Sequence, residues 1–149
     1  MDYKITTKNE SETIQLAENI ESEKFPNMVI CLTGELGSGK TVFTKGFASA
    51  MGISETITSP TFCIIKEYEG EQYLYHIDAY RLDNKIEGFD LQEYFNKGGV
   101  VIIEWADSIK EHLPEERLDI NIKVVGENTR VIILKPQGEK YEELCEGVL

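Results

Sequence analysis

Apolar residues along this chain follow two different periods, and the places where the period changes mark out its elements. Met28 to Thr33 and Val100 to Ile103 are continuous apolar, β-favouring blocks, the pattern of strands covered on both faces. Val42, Phe43, Phe47, Ala50 and Met51 recur at helical spacing, as do Ile14, Ala17 and Ile20 with Leu16 beside them. The first apolar block and the helix carrying Phe43 therefore form a strand–turn–helix unit joined by Gly34 to Thr41. Tyr3 to Thr6 reads as a short strand, and Asn9-Glu10-Ser11-Glu12 offers caps for a helix ending near Glu23. Met51-Gly52 reads as a helix stop with glycine at the left-handed position. Cys63 to Tyr68 and Tyr73 to Tyr80 flank Glu69-Gly70-Glu71-Gln72 as a β-hairpin. Asp83 to Asn96 is an irregular helical stretch that sends Ile86, Phe89, Leu91, Tyr94 and Phe95 into the core and stops at Gly98-Gly99. Asp107 is better placed to cap a helix over Ser108 to His112 than to act as a second metal ligand, and His112 itself reads as a surface residue. Leu118 to Val124 alternates, Arg130 to Leu134 follows as its antiparallel partner, and Glu139 to Leu149 reads as a short acidic helix.

Length and charge narrow the class. One globular unit fits 149 residues, with 41% hydrophobic content and no internal repeat. A net charge of −12 and only three arginines, Arg81, Arg117 and Arg130, weigh against a direct nucleic-acid interface, because phosphate backbones are held mainly by Lys and Arg. If a nucleic acid is involved, the basic surface belongs to a protein partner. The N-terminal residues lack the apolar core of a signal peptide, and no apolar run approaches membrane-spanning length, so a cytoplasmic location is expected. Cys31, Cys63 and Cys145 have no C-x-x-C spacing and read as core thiols.

Candidate chemistry centres on Gly34-Glu35-Leu36-Gly37-Ser38-Gly39-Lys40-Thr41, a full G-x-x-x-x-G-K-[ST] match between strand and helix. Its glycines let the backbone N–H groups and the positive helix N-terminus, from Glu35 through Val42, converge on one phosphate chain. Lys40 supplies a point charge for the β- and γ-phosphates, and the Thr41 hydroxyl is placed for a bridging Mg²⁺, so the expected ligand is a Mg-nucleoside triphosphate. Glu104, at the C-terminal end of the second apolar block, matches a Walker-B acid that reaches the same metal. Asp78 and His76 alternate on one face of the second hairpin strand, close to Tyr80 and Arg81, a face that a hairpin could simply expose to water. Ser59-Pro60-Thr61-Phe62 sits where many phosphate-loop proteins sense the γ-phosphate. Asn9, in the Thr6 to Asn9 segment, and Arg130 are candidates for base or phosphate contact, with a solvent-facing side chain the simpler reading of Arg130. Trp105 has two readings, core packing or site lining.

These four motifs, in this order and over nearly all of the chain, resemble the TsaE (formerly YjeE) family: the phosphate loop, S-P-T-F at Ser59 to Phe62, H-x-D-x-Y-R-L at His76 to Leu82, and E-W at Glu104-Trp105. The resemblance implies an α/β fold, a single-domain P-loop NTPase with a mixed parallel and antiparallel sheet flanked by helices. It also implies a slow Mg-dependent ATPase needed for threonylcarbamoyladenosine beside the anticodon of tRNAs. The implied partners are TsaD and TsaB, and the protein would meet tRNA only through them. Position by position, Lys40 and the loop amides would bind phosphate, Thr41 and Glu104 would hold Mg²⁺, and Asp78 would serve hydrolysis.

Two other classes compete. A small-molecule kinase shares the loop, but usually clamps its second substrate with several arginines, and here three are dispersed. A non-hydrolytic, nucleotide-dependent assembly factor shares every binding residue and differs only at Asp78. A GTPase is set aside because Asn84-Lys85-Ile86-Glu87 lacks the final aspartate of a guanine-reading motif.

Overall fold

Val100–Glu104 is buried at all five positions because it has a parallel neighbour on each edge and helices over both faces. The computed structural model describes residues 1–35, 37–57, 65–82 and 90–148. In chain order the elements are β1 (Tyr3–Thr7), α1 (Glu10–Ser22), β2 (Val29–Gly34), α2 (Lys40–Ala50), β3 (Ile65–Glu69), β4 (Tyr73–Asp78), α3 (Ala79–Leu82), α4 (Leu91–Phe95), β5 (Val100–Glu104), a 3₁₀ segment (Ala106–His112), β6 (Arg117–Val124), β7 (Arg130–Gln137) and α5 (Glu139–Val148). Seven strands form one sheet in the order β1-β7-β6-β2-β5-β4-β3. The inner strands β6, β2, β5 and β4 run parallel, while β7, β1 and β3 add antiparallel.

Alternation along the strands divides the core into two layers. Met28, Ile30, Leu32, Val100 and Ile102 pack with Leu16, Ile20, Phe43, Phe47 and Leu144 from α1, α2 and α5. Val29, Cys31, Val101 and Ile103 pack on the other face with Ala79, Leu91, Phe95 and Ile109. Cys31 and Cys145 are buried thiols, as expected. In the α1–α2 contact, a Cβ built on Gly46 would lie 3.1 Å from the Ile14 Cα, so the helix backbones approach each other with no room for a methyl group. Helix α5 is tied to the sheet by the buried Val29 N–H, which donates to the Tyr141 hydroxyl at 2.9 Å.

Most expected elements form near their expected ends, and the differences have physical reasons. The second hairpin strand stops at Asp78 rather than Tyr80, because the Asp78 carboxylate accepts the Tyr80 N–H at 3.1 Å and opens the single turn of α3. Nor is that strand exposed: it lies between β5 and β3, so His76 is fully buried. Asp107 does not cap the helix after β5. Trp105 occupies the cap position with φ 61°, and the segment is a 3₁₀ helix interrupted at Ile109. His112 is on the surface, as expected. Leu36, Ser59 to Phe62, Cys63 and the Ile86 and Phe89 positions lie outside the described residues. Among those described, no helix is long and apolar enough to cross a membrane.

Candidate functional site

Parallel pairing of β2, β5 and β4 brings three C-terminal strand ends to one edge of the sheet, where open α/β folds bind ligands. Strand β2 leads into the glycine loop. A Cβ on Gly34 would sit 2.6 Å from the Ile122 carbonyl oxygen, and its φ of 151° disfavours any side chain, so glycine alone lets the loop start against β6. The loop then turns with Ser38 N–H donating to the Glu35 carbonyl at 3.0 Å. Gly39, at φ 115°, opens α2 without a capping side chain, leaving the first-turn N–H groups directed outward.

Lys40 is buried, and its ammonium donates to the Gly34 carbonyl and, at 3.4 Å, to the Glu35 carbonyl. It also lies 4.0 Å from the centroid of the Trp105 ring. Burial pulls its pKa below the ordinary lysine value, against the opposing charges of Glu104, Asp107 and Asp78. An ammonium whose solvation comes from two carbonyls and a ring face is poised to exchange them for a phosphate. Ser38, equally buried, has a hydroxyl oxygen with no hydrogen-bond partner among the described residues.

Glu104 is 3% exposed and its Oε2 lies 2.9 Å from His76 Nε2. Strand register sets Asp78 directly opposite Glu104, on the face that carries α2. One cavity of about 180 Å³ is lined by Gly37, Gly39, Lys40, Thr41, Val42, Glu104 and Trp105. Thr41 and Glu104, far apart in the chain, therefore meet in one space with the loop lysine. A second cavity of about 80 Å³ shares Gly37, Gly39 and Val42, and adds Asn9, Glu10, Thr13, Ser38, Asn128 and Arg130. Asn9 caps α1 by accepting the Glu12 N–H at 2.9 Å while lining this cavity. A larger cavity of about 340 Å³ lies beside β6 and the 3₁₀ segment, and touches neither Lys40 nor Glu104.

A solvent-facing side chain is the simplest expectation for Arg130, but it is half-buried and engaged by the protein. Its Nε donates to the Ser38 carbonyl at 2.8 Å, and its Nη1 donates to the carbonyls of Gly126, Glu127 and Thr129 at 3.2, 3.4 and 3.1 Å. The side chain thus ties the glycine loop to the β6–β7 turn. Trp105, undecided from sequence, lines the site and sits 5.8 Å from Tyr80, which is 71% exposed. Sequence reasoning missed Thr13 and Asn128, which have no motif around them. It also left His76 without a role, since the pairing that buries it is long-range.

The donor set suits a triphosphate with Mg²⁺. A hydroxyl and a carboxylate are hard oxygen donors, and Mg²⁺ usually takes only one or two such protein ligands, filling its shell with phosphate oxygens and water. The Ser38 hydroxyl, unpartnered among the described residues, and the outward N–H groups of the loop offer the matching donors for phosphate.

Comparison with known proteins places this arrangement. Residues 7–132 match the family model described as threonylcarbamoyl adenosine biosynthesis protein TsaE. The tRNA threonylcarbamoyladenosine biosynthesis protein TsaE of Bacillus subtilis is 48% identical over 141 residues, covering 94% of this chain and 89% of that protein. The protein of the same name from Treponema pallidum is 42% identical over 106 residues, or 70% of this chain and 78% of that one. A crystal structure of Bacillus subtilis YdiB superposes with a TM-score of 0.88 at 43% identity, covering 99% of this chain and 94% of that one. With the family model spanning everything from the end of β1 into β7, and the phosphate loop, Asp78 and Glu104 inside that span, the chain belongs to the TsaE family.

Proposed function

We propose that this protein is a slow, Mg-dependent ATPase that serves threonylcarbamoyladenosine modification of tRNA by acting on a TsaD–TsaB complex. The observation that carries the reading is the convergence of Lys40, Thr41 and Glu104 on one cavity beside the glycine loop. In this reading residues 1–149 work as one ATPase domain. The amides of Glu35, Leu36, Gly37, Ser38, Gly39, Thr41 and Val42 cradle the β-phosphate, and Gly34 keeps the loop close to β6. Lys40 leaves its two carbonyls and moves to the β- and γ-phosphates. Asn9 and Arg130 border the space on the nucleoside side.

Thr41 and Glu104 would hold the metal, their hydroxyl and carboxylate being the hard oxygen donors it takes. Mg²⁺, when bound, draws charge from the β- and γ-phosphate oxygens and so eases departure of the γ-phosphoryl group. Asp78 stands beside Glu104 on the strand end and orients the attacking water, accepting its proton as the new bond to phosphorus forms. A carboxylate already fixed by the Tyr80 N–H costs little to position for that task. The net charge of −12 supports a division of labour in which partners hold the tRNA and this chain acts on them from the cytoplasm.

The test is phosphate release from Mg-ATP by the protein alone and with TsaD and TsaB added, with Asp78→Ala alongside. Slow turnover that rises with the partners and disappears in the variant is the expected result. Binding without turnover in both conditions would favour the non-hydrolytic assembly factor, and turnover only with an added small-molecule acceptor would favour a kinase.

A further inference from the structure

His76 is a fully buried polar ring on β4, the second strand from one edge of the sheet, and the ATPase reading gives it no part. Strand β4 pairs with β5 on one edge and β3 on the other, so the ring cannot reach water past either neighbour. The β4–β5 register opposes His76 to Ile102 and Asp78 to Glu104, which puts all four side chains on the α2 face of the sheet. On that face Leu74, Val100 and Ile102 belong to the apolar layer, Lys66 stands directly across from His76 on β3, and the imidazole meets Glu104. Nε2 lies 2.9 Å from Glu104 Oε2, whereas Nδ1 has no hydrogen-bond partner among the described residues. Since an ionised carboxylate only accepts, Nε2 carries the proton and donates it.

We infer that His76 is a positioning residue for Glu104: its Nε2–H fixes the carboxylate so that the acid presents metal-binding lone pairs to the cavity it shares with Thr41. This rests on the reading of Glu104 as a Mg²⁺ ligand. A carboxylate 3% exposed needs donors to stay ionised, and two oxygens offer about four acceptor sites, of which the imidazole takes one. The bond therefore does two things at once. It offsets the desolvation of the charge, and it selects one rotation of the carboxylate about its own axis. Groups that orient metal ligands in this way matter to metal affinity without touching the metal. A ring serving only to fill the core would need no partner at hydrogen-bond distance, and Leu or Phe would fill that space without leaving Nδ1 unpaired.

The experiment titrates Mg²⁺ against binding of a fluorescent ATP analogue, starting in EDTA, for wild type, His76→Leu, His76→Gln and His76→Asn. A glutamine amide nitrogen can stand where Nε2 stands, while the shorter asparagine amide stands nearer Nδ1. The expected result is a Mg²⁺ midpoint raised roughly 10–100-fold in His76→Leu and His76→Asn, with His76→Gln close to wild type and affinity in EDTA the same for all. Equal midpoints in all four proteins would overturn the inference, and so would an equal loss of affinity with and without Mg²⁺, which is what a purely structural role produces. If His76→Leu does not fold, the Gln and Asn variants decide between the same two outcomes. A wild type whose affinity ignores Mg²⁺ would overturn the metal reading itself, which the wild-type titration alone reveals.

Discussion

Arg130→Ala removes a guanidinium that holds two otherwise separate segments, and its effects on stability and on nucleotide affinity should differ. The Nε bond to the Ser38 carbonyl, at 2.8 Å and partly buried, is the strong one; a hydrogen bond from a charged donor contributes about 1.5–3 kcal/mol. The three Nη1 contacts share one nitrogen, run from 3.1 to 3.4 Å, and two of them are exposed, so together they add only a few tenths. Because water can reach the Ser38 carbonyl once the side chain is gone, the net cost to global stability should fall near the lower bound, about 1–2 kcal/mol. The glycine loop bears a second cost. With its tether cut it samples other conformations, and if the competent one falls to about a tenth of the population, apparent ATP affinity falls about tenfold. Urea denaturation reads the first quantity and fluorescent-nucleotide titration the second. Arg130→Lys, which keeps the charge without the fork, should recover little of either. Unchanged nucleotide affinity in Arg130→Ala, with a normal stability loss, would refute the tether argument, because it would mean the loop holds its shape without the β6–β7 turn.

The same structure makes three further predictions. Trp105 is the only tryptophan and lies under the Lys40 ammonium, so ATP, by drawing Lys40 to its phosphates, should change the intrinsic emission, and Lys40→Ala should abolish that response. Tyr141→Phe strips the buried Val29 N–H of its acceptor and should cost about 1–3 kcal/mol in urea denaturation; a loss under 0.5 kcal/mol would contradict that bond. Burial, aided by Glu142, pushes the Cys145 thiol up to about 11, and burial pushes the Tyr141 phenol up to about 12. The folded state keeps these protons while an unfolded chain begins to lose them near pH 8.5 and 10, so stability should fall as pH rises from about 8.5 to 12. Cys145→Ala should lessen the first part of that decline without removing it, since burial raises the Cys31 thiol too, measured as the urea midpoint at pH 8 and 10.5.

The strand–loop–helix unit and β5 were legible because their signals are local. An apolar run, a glycine spacing and a helical period all lie within one stretch, and burial follows from the run itself. Asp78 and Glu104 could be named for the same reason, each ending a recognisable strand. What sequence did not convey is which strands become neighbours. The 73–80 segment looks like the outer arm of a hairpin, but the sheet inserts it between β5 and β3, and that long-range pairing turns His76 from a surface residue into a buried one. Arg130 poses the same difficulty: 92 residues separate it from Ser38, and nothing near it in sequence marks the contact. Local rules also misjudged Asp107. A backbone that leaves β5 through Trp105 at φ 61° has already made the turn that a capping aspartate would have made.

Gly46, with no side chain between its helix and Ile14, has a mechanical consequence. Helices that touch through intervening side chains can slide as rotamers adjust, but two whose backbones nearly meet have no such slack. Asn9 at the start of α1 and the glycine loop at the start of α2 thus belong to one stiff bracket, which on the proposed ATPase reading would give a nucleotide a fixed seat. On that reading, any strain that nucleotide binding or hydrolysis released would travel the other way, through Trp105 and Asp78 toward the 3₁₀ segment and the β4 end. On that side Tyr80 stands in solvent, so it is there that a partner could feel which nucleotide is bound.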